Sequence, residues 1–205
     1  MSSSDGTDTG AVRPAAARFL SALRADHEML RRYDNQYGVP RRPPEPLAKD
    51  IVQRVGLQMM AAYRLMRFFA EAGAPLPAKV IGRLIRILYG ADIHYDAQLE
   101  QGVVIVHGMG ISINQAVRVG SGVILSQNVT LGAGIDPVTR ETGAPRVEEN
   151  VHIGPGATVT GPVTVGARSK IVAGAVVMAS IPPGSLVETP PPRVSPRRAP
   201  GTGQG

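Results

Sequence analysis

Residues 147–177, VEENVHIGPGATVTGPVTVGARSKIVAGAVV, decide the fold, because an Ile or a Val recurs there at every sixth position. The same period extends back to Ile93, with a two-residue slip after Ile111 and a ten-residue insertion after Leu131. Ile, Leu and Val make up about a quarter of the chain, yet they occupy all thirteen positions of the series. These positions are Ile93, Leu99, Ile105, Ile111, Val119, Leu125, Leu131, Val147, Ile153, Val159, Val165, Ile171 and Val177.

A second position, four residues further on in each unit, is small or apolar except at Gln115 and Ser169. A six-residue unit with one large and one small inward residue is a short strand followed by a corner. Three such units make one triangular coil of a parallel β-helix. The insertion, GAGIDPVTRETGAPR at residues 132–146, is predicted to leave this prism as a loop.

The residues before the repeats have helical periodicity instead. Apolar residues at three- and four-residue spacing predict helices over residues 14–33, 49–71 and 79–89, and a proline-rich linker over 40–46 separates the first two. The fold class is therefore mainly β with a helical N-terminal segment.

The predicted organisation has four parts. A helical segment occupies residues 13–90, and the β-helix domain occupies residues 91–189. The ends, residues 1–12 and the Pro/Arg-rich tail 190–205, lack apolar periodicity and are predicted to be disordered.

Composition excludes several classes of function. The chain of 205 residues has no Cys, which removes disulfides, thiolate metal sites and a cysteine nucleophile. Aromatic residues are only 4%, too few for the stacking platforms that bind single-stranded nucleic acid. The net charge of +6 is concentrated on the helical segment and the tail, whereas residues 91–189 carry 5 basic and 8 acidic side chains. We expect solvated faces here and no nucleic-acid partner.

The N-terminal sequence MSSSDGTDTG has neither a basic nor an apolar region of a secretory signal, which predicts a cytoplasmic protein. The most apolar stretch, residues 55–69, is interrupted by Arg64 and Arg67 and is too short to span a bilayer. No membrane partner is expected.

Three stretches resemble the serine acetyltransferase branch of the hexapeptide-repeat acyltransferases. They are ADIHYDAQLEQGVVIVHGMGISI, LSQNVTLGAG and VHIGPGATVTGPVTVGARSKIVAGAVV. GLQMMAAYRLMRFF is similar to the helix before the repeats, so the resemblance covers about residues 50–189. It implies a left-handed β-helix, a homotrimer with active sites between subunits, and acetyl-CoA as the acyl donor for a small-molecule acceptor.

The resemblance also implies catalytic residues. His107, in IVHGMG, matches the family's catalytic base, and Asp92, in ADIH, matches the acid that orients it. A carboxylate that accepts from one ring nitrogen fixes the tautomer and leaves the other nitrogen as a base. The repeat spacing predicts that both residues lie on one face of the prism.

The acceptor side departs from the family. Its aspartate before the histidine, which helps to hold the substrate ammonium, is Val106 here. Its arginine and histidine before a proline, which grip the substrate carboxylate, are Gly143 and Ala144, so Arg140 and Arg146 are the candidate replacements. These departures predict that free serine is a poor acceptor and that a larger, uncharged hydroxyl compound is preferred.

The donor side is closer to the family. Ala133, Pro155 and Ala173 match positions that contact coenzyme A through the backbone, and Lys170 is a candidate for its phosphates. No metal site is expected, since His94, His107 and His152 lack the close-spaced pattern of a γ-carbonic anhydrase.

The alternatives are a hexapeptide acyltransferase whose acceptor is a sugar or natural-product hydroxyl or amine, and a non-catalytic trimeric interaction protein.

Overall fold

The computed structural model describes residues 15–37, 45–191 and 193. The predicted disordered end at residues 1–12 lies outside the described residues, as do most of the tail 190–205 and residues 40–44 of the predicted linker. Helices come first in the described part of the chain: α1 (Ala15–Gln36), α2 (Leu47–Gln53), α3 (Val55–Glu71) and α4 (Pro75–Tyr89).

The prediction of one helix over residues 49–71 is wrong at one position. Arg54 has an extended backbone (φ −119°, ψ 107°) and separates α2 from α3. Two residues later, Gly56 packs directly on the β-helix, where an added Cβ would overlap the carbonyl oxygen of Ile105. The start of α3 is thereby held against the prism.

The last helix begins four residues before its predicted start at residue 79. Pro75 is accepted in the first turn because the N–H that proline lacks would have no partner inside the helix. The helix ends at Gly90, whose φ of 60° is the left-handed conformation that glycine adopts without a steric penalty.

Short strands follow the helices, and fourteen of the strands in the described residues form three parallel sheets, the faces of a prism. We call them face A (β1, β4, β7, β12, β15), face B (β2, β5, β10, β13) and face C (β3, β6, β11, β14, β16). The strands are β1 (Asp92–Ile93), β2 (Gln98–Leu99), β3 (Val104–Ile105), β4 (Ser112–Ile113), β5 (Arg118–Val119), β6 (Ile124–Leu125), β7 (Thr130–Gly132), β8 (Gly134–Ile135), β9 (Thr142–Gly143), β10 (Arg146–Val147), β11 (His152–Ile153), β12 (Thr158–Thr160), β13 (Thr164–Val165), β14 (Lys170–Ile171), β15 (Val176–Val177) and β16 (Leu186–Val187).

The register corrects the predicted position of the slip. Ile93 pairs with Ile113, so the two extra residues lie in the corner between β3 and β4 rather than after Ile111. Ile111 fills the small-residue position of its unit, and the next such position is Val117, which is buried, instead of Gln115. All thirteen residues of the predicted series are nonetheless at most 5% exposed.

The insertion leaves the prism at the corner between faces A and B. It carries an antiparallel hairpin, in which β8 pairs with β9. Asp136 caps its turn by accepting the backbone N–H groups of Val138 and Thr139 at 2.8 and 2.7 Å. These bonds favour the carboxylate and hold the pKa of Asp136 below its ordinary value.

Side chains of the helical segment close the lower edge of the first coil. Tyr63 donates to the carbonyl of Ala97 at 2.6 Å and accepts the N–H of Leu99 at 3.1 Å. Arg64 donates to the carbonyls of Leu99 and Glu100, each at 2.6 Å. Its guanidinium also binds Asp26, which accepts the N–H of Gly102 at 2.8 Å; burial raises the pKa of Asp26 against the opposing effect of Arg64.

Candidate active site

His107 lies in the enlarged corner between β3 and β4. Its backbone is left-handed, with φ of 63°, and its side chain is exposed. Non-glycine residues adopt this conformation rarely, although histidine does so more often than most, at a cost of about 1–3 kcal/mol. The carbonyl of His107 accepts the N–H of Met109 at 2.7 Å, which folds the corner tightly.

The glycines of this corner permit its close packing. A Cβ on Gly108 would overlap the sulfur of Met59, and a Cβ on Gly110 would overlap the side-chain oxygen of Asn128 in the next coil. The N–H of Gly110 also donates to the carbonyl of Tyr89 at 3.3 Å. The corner that carries His107 is therefore fixed from the helical side and from the next coil.

Asp92 lies next to the corner of His107, since its N–H donates to the carbonyl of Ile111 in that corner at 2.7 Å, and the predicted pairing of the two side chains stays a prediction. Asp92 belongs to β1 on face A, whereas His107 lies at the corner between faces C and A. Asp92 accepts a hydrogen bond from Nη2 of Arg86 at 2.5 Å. Among the described residues, no hydrogen bond joins Asp92 to His107.

A cleft of about 570 Å³ opens beside the histidine. Its walls are the second half of α1, the junction of α2 and α3, and residues 105–109 of the corner. Val106 lines it, as do Leu30, Leu57 and Met109, so the wall next to His107 is largely apolar. The contact of Gly56 with Ile105 joins the helical wall to the corner.

Arg54 and Asp34 form the polar wall of this cleft and belong to a cluster of charged side chains that was not predicted from the sequence. Nη1 of Arg54 lies 2.6 Å from Asp34, and its Nε lies 3.3 Å from Asp50. Nε2 of His27 lies 2.7 Å from the other oxygen of Asp50. Asp34 above all, and Asp50, raise the pKa of Arg54, although burial opposes them. Asp50 and Arg54 are four residues apart in a predicted helix, which was the one signal available.

The residues predicted to contact coenzyme A lie in different places. Pro155 and Ala173 lie on the same prism edge as His107, and these two residues belong to successive coils. The carbonyl of Pro155 accepts the N–H of Gly174 at 2.8 Å. Lys170 lies on face C beside His152, and Ala133 lies at the edge between faces A and B. Burial and the charge of Lys170 lower the pKa of His152, whose Nδ1 is 2.9 Å from the hydroxyl of Tyr37.

The structure does not bring Arg140 or Arg146 to His107 within one chain. Arg146 is exposed on face B, beside Arg118 of the neighbouring strand. Arg140 is exposed in the turn of the hairpin, with φ of 63°. Neither arginine therefore lies on the prism edge that carries His107.

No group of three or more His, Asp or Glu side chains among the described residues could hold a metal ion. No helix of the described ranges is long and apolar enough to cross a membrane.

A prism of hexapeptide units with an exposed histidine at one corner defines the class of hexapeptide-repeat transferases. The family described as "Bacterial transferase hexapeptide (six repeats)" matches residues 144–179. The chain is 33% identical over 186 residues to a serine acetyltransferase of Mycobacterium tuberculosis, covering 90% of this chain and 76% of the relative. Within that class, the chain belongs to the serine acetyltransferase family, and its prism is the family's left-handed β-helix.

Two further comparisons also find serine acetyltransferases. A serine acetyltransferase of Synechococcus elongatus is 33% identical over 141 residues, which are 68% of this chain and 56% of the relative. The crystal structure of serine acetyltransferase from Brucella abortus in complex with coenzyme A has a TM-score of 0.72 at 25% identity, covering 86% of this chain and 67% of that one. The chain thus spans between about half and three quarters of the length of these relatives.

Proposed function

We propose that this protein transfers an acetyl group from acetyl-CoA to the hydroxyl of a small acceptor, with serine as the acceptor that its family favours. One observation carries the proposal: the exposed His107 is held at a corner where a cleft of about 570 Å³ meets the prism edge of Pro155 and Ala173. The relatives that support it are named serine acetyltransferases, and one was crystallised with coenzyme A.

The imidazole of His107 acts as a general base in this reaction. It takes the proton of the acceptor hydroxyl while the oxygen attacks the thioester carbonyl. The carbon–sulfur bond then breaks, the acetyl group remains on the acceptor oxygen, and the imidazolium returns its proton to the leaving thiolate. The left-handed backbone of His107 directs the side chain away from the prism, which leaves the ring accessible to both substrates.

The donor lies along the edge between faces C and A in this proposal. An added Cβ at Gly156 or Gly174 would meet nothing within 4 Å, so the edge is open beside both residues. Such an edge accommodates a thin pantetheine arm next to Pro155 and Ala173. Lys170 is exposed on the adjoining face and supplies a positive charge for a phosphate.

The working form is a homotrimer in this proposal. The hairpin with Arg140 projects from one prism edge and His107 from another, so in a trimer the hairpin that approaches His107 would come from a neighbouring subunit. Helix α4 supports assembly, because one side packs on α3 and β1 while the other side carries five large apolar residues that are 50–71% exposed. They are Leu76, Val80, Leu84, Ile87 and Leu88. A helix that is apolar on opposite sides is normally buried.

A second candidate acceptor is a larger neutral alcohol. Val106 places an apolar side chain beside His107, where the family has an aspartate. Gly143 and Ala144 occupy the positions of the family's arginine and histidine, which hold the substrate carboxylate. Each missing charge-assisted contact forfeits about 1.5–3 kcal/mol. If a neutral alcohol is the acceptor, then Val106→Asp combined with Gly143→Arg and Ala144→His raises the rate with serine selectively.

The decisive experiment measures release of the coenzyme A thiol from acetyl-CoA with L-serine, with neutral alcohols and with no acceptor. Release that depends on L-serine, with O-acetylserine as product, supports the first candidate. Release only with a neutral alcohol supports the second. No acceptor-dependent release with any hydroxyl compound contradicts both. Light scattering tests the assembly, with a mass near three subunits expected and an active monomer contradicting it.

A further inference from the structure

The charged wall of the cleft contains one arginine in an unusual setting. Arg54 is the residue that interrupts the helical segment, and its extended backbone places the side chain between α1 and α2. Only 20% of this side chain is exposed, and that part borders the cleft shared with His107. Gly56 follows two residues later and Ile105 precedes His107 by two residues, so their contact keeps Arg54 and His107 on facing walls.

We propose that Arg54 is a specificity-determining residue that receives the carboxylate of an amino-acid acceptor. This inference rests on the proposed function of the same cleft. It assigns to the helical segment a contact that the resemblance places in the loop before Pro145, where this chain has Gly143 and Ala144. Arg54 is the cationic side chain, among the described residues, that lines the cleft beside His107.

The geometry of the guanidinium leaves room for this contact. Asp34 engages Nη1, and Asp50 lies near Nε, which is buried and has no hydrogen-bond partner among the described residues. Arginine carries five N–H donors in a rigid fork, so two neighbours do not exhaust it. The two aspartates also hold the fork in one orientation before a ligand arrives, which reduces the entropy that binding would cost.

The charges of the cluster suit a zwitterion. Arg54 and Asp34 line the cleft side by side with opposite charges, so an acceptor with a carboxylate alone would bring its negative charge close to Asp34. A zwitterion adds no net charge. Its carboxylate against Arg54 and its ammonium towards Asp34 form an alternating arrangement in which every neighbour has the opposite sign. The cleft therefore favours an acceptor with both groups over an acceptor with a carboxylate alone.

The test compares L-serine with ethanolamine, which has the same hydroxyl and ammonium but no carboxylate. Three variants are measured beside the wild type: Arg54→Met, Arg54→Lys and, as a control, Arg67→Met. Arg67 also pairs with a carboxylate of the helical segment, Glu71 at 2.9 Å, but does not line this cleft. Because both acceptors are assayed on the same preparation, their ratio of kcat/KM does not depend on how much of a variant is folded.

We expect Arg54→Met to lower kcat/KM for serine by about 10- to 100-fold, mainly through KM, and to cause no loss with ethanolamine, whose ammonium keeps Asp34 as its partner. Arg54→Lys keeps the charge without the fork and is expected to fall between the wild type and Arg54→Met. Arg67→Met should leave the ratio at the wild-type value. An equal loss with both acceptors, or no loss with serine, overturns the inference.

Binding separates this inference from the proposed function. Calorimetric titration with serine needs no turnover, and it is carried out on the wild type and on Arg54→Met. Serine that binds to the wild type without being acetylated, and loses affinity in Arg54→Met, contradicts serine as the acetylated acceptor and supports the role of Arg54. Serine that neither binds to the wild type nor is acetylated overturns the role of Arg54.

Discussion

Two corners of the first coil differ in length. The corner between β2 and β3 contains four residues, 100–103, whereas the corner between β3 and β4 contains six, 106–111. On the edge of His107, the corners of the next three coils are again of four residues, 126–129, 154–157 and 172–175. The regular corners continue the prism, and the enlarged one carries the exposed histidine and borders the cleft.

The difference shows how a repeat protein gains a site. A four-residue corner is determined by the need to bring the next inward residue onto the next face, so its side chains have little freedom. The two additional residues release the corner from that requirement while Ile113 still pairs in register with Ile93. The prism therefore keeps its core, and the corner gains a side chain that projects from it.

The most direct way to remove the difference is to delete Gly108 and Met109. The shortened corner would consist of Val106, His107, Gly110 and Ile111, with glycine in the third position, as at Gly156 and Gly174 of the later coils. We expect the prism to fold and turnover to fall at least as far as when His107 is replaced. Circular dichroism and thiol release measure the two outcomes. A shortened protein that stays active would show that the enlargement is not needed.

Replacing His107 tests the side chain without changing the corner. His107→Asn is the sharper variant, because asparagine tolerates the left-handed backbone that alanine would strain. We expect turnover to fall by roughly 10²- to 10⁴-fold, with affinity for acetyl-CoA retained. Asn150→Gly, at a left-handed position of a regular corner on another prism edge, is the control and should keep turnover. Unchanged turnover in His107→Asn would eliminate the general base.

The wall opposite the enlarged corner depends on a glycine contact. In Gly56→Ala the new methyl group would overlap the carbonyl of Ile105, so α3 must shift away from the corner, at a cost of about 1–3 kcal/mol. Gly82→Ala is the matched control in α4, since its nearest neighbour is the flexible end of Met66 at 3.3 Å. We expect it to change stability by less than about 1 kcal/mol. Chemical denaturation compares the two, and equal effects would contradict the importance of the contact.

The smallest effect is expected at Asp92, beside the enlarged corner. Asp92→Asn should lower turnover by less than His107→Asn, because the base itself remains. Arg86→Met releases Asp92 from its present partner and should not lower turnover if Asp92 acts on His107 when substrates bind. Steady-state rates of both variants decide this. An equal loss in both would show that the ion pair with Arg86 is what matters.

The repeats could be predicted because each unit repeats one physical requirement, an inward apolar side chain at a fixed interval. The error at Ile111 has the same origin. Ile111 and Ile113 are both buried, so hydrophobicity alone does not distinguish the strand position from the corner position. Only the pairing of Ile113 with Ile93 decides the register.

The cleft could not be predicted from the sequence, because its walls come from distant segments. Asp34 belongs to α1, Arg54 to the junction of α2 and α3, and His107 to the prism. No periodicity connects these positions. The break at Arg54 was missed because the approach of Gly56 to Ile105 is a tertiary contact and leaves no signal in the local apolar pattern.

The bonds from Asp26, Tyr63 and Arg64 to the first coil have a consequence for solubility. The open end of a β-helix is a row of backbone donors and acceptors that can template a strand from another molecule. Here side chains occupy the N–H groups of Leu99 and Gly102 and the neighbouring carbonyls. The helical segment thus acts as a plug at this end of the solenoid and blocks its end-to-end polymerisation into filaments.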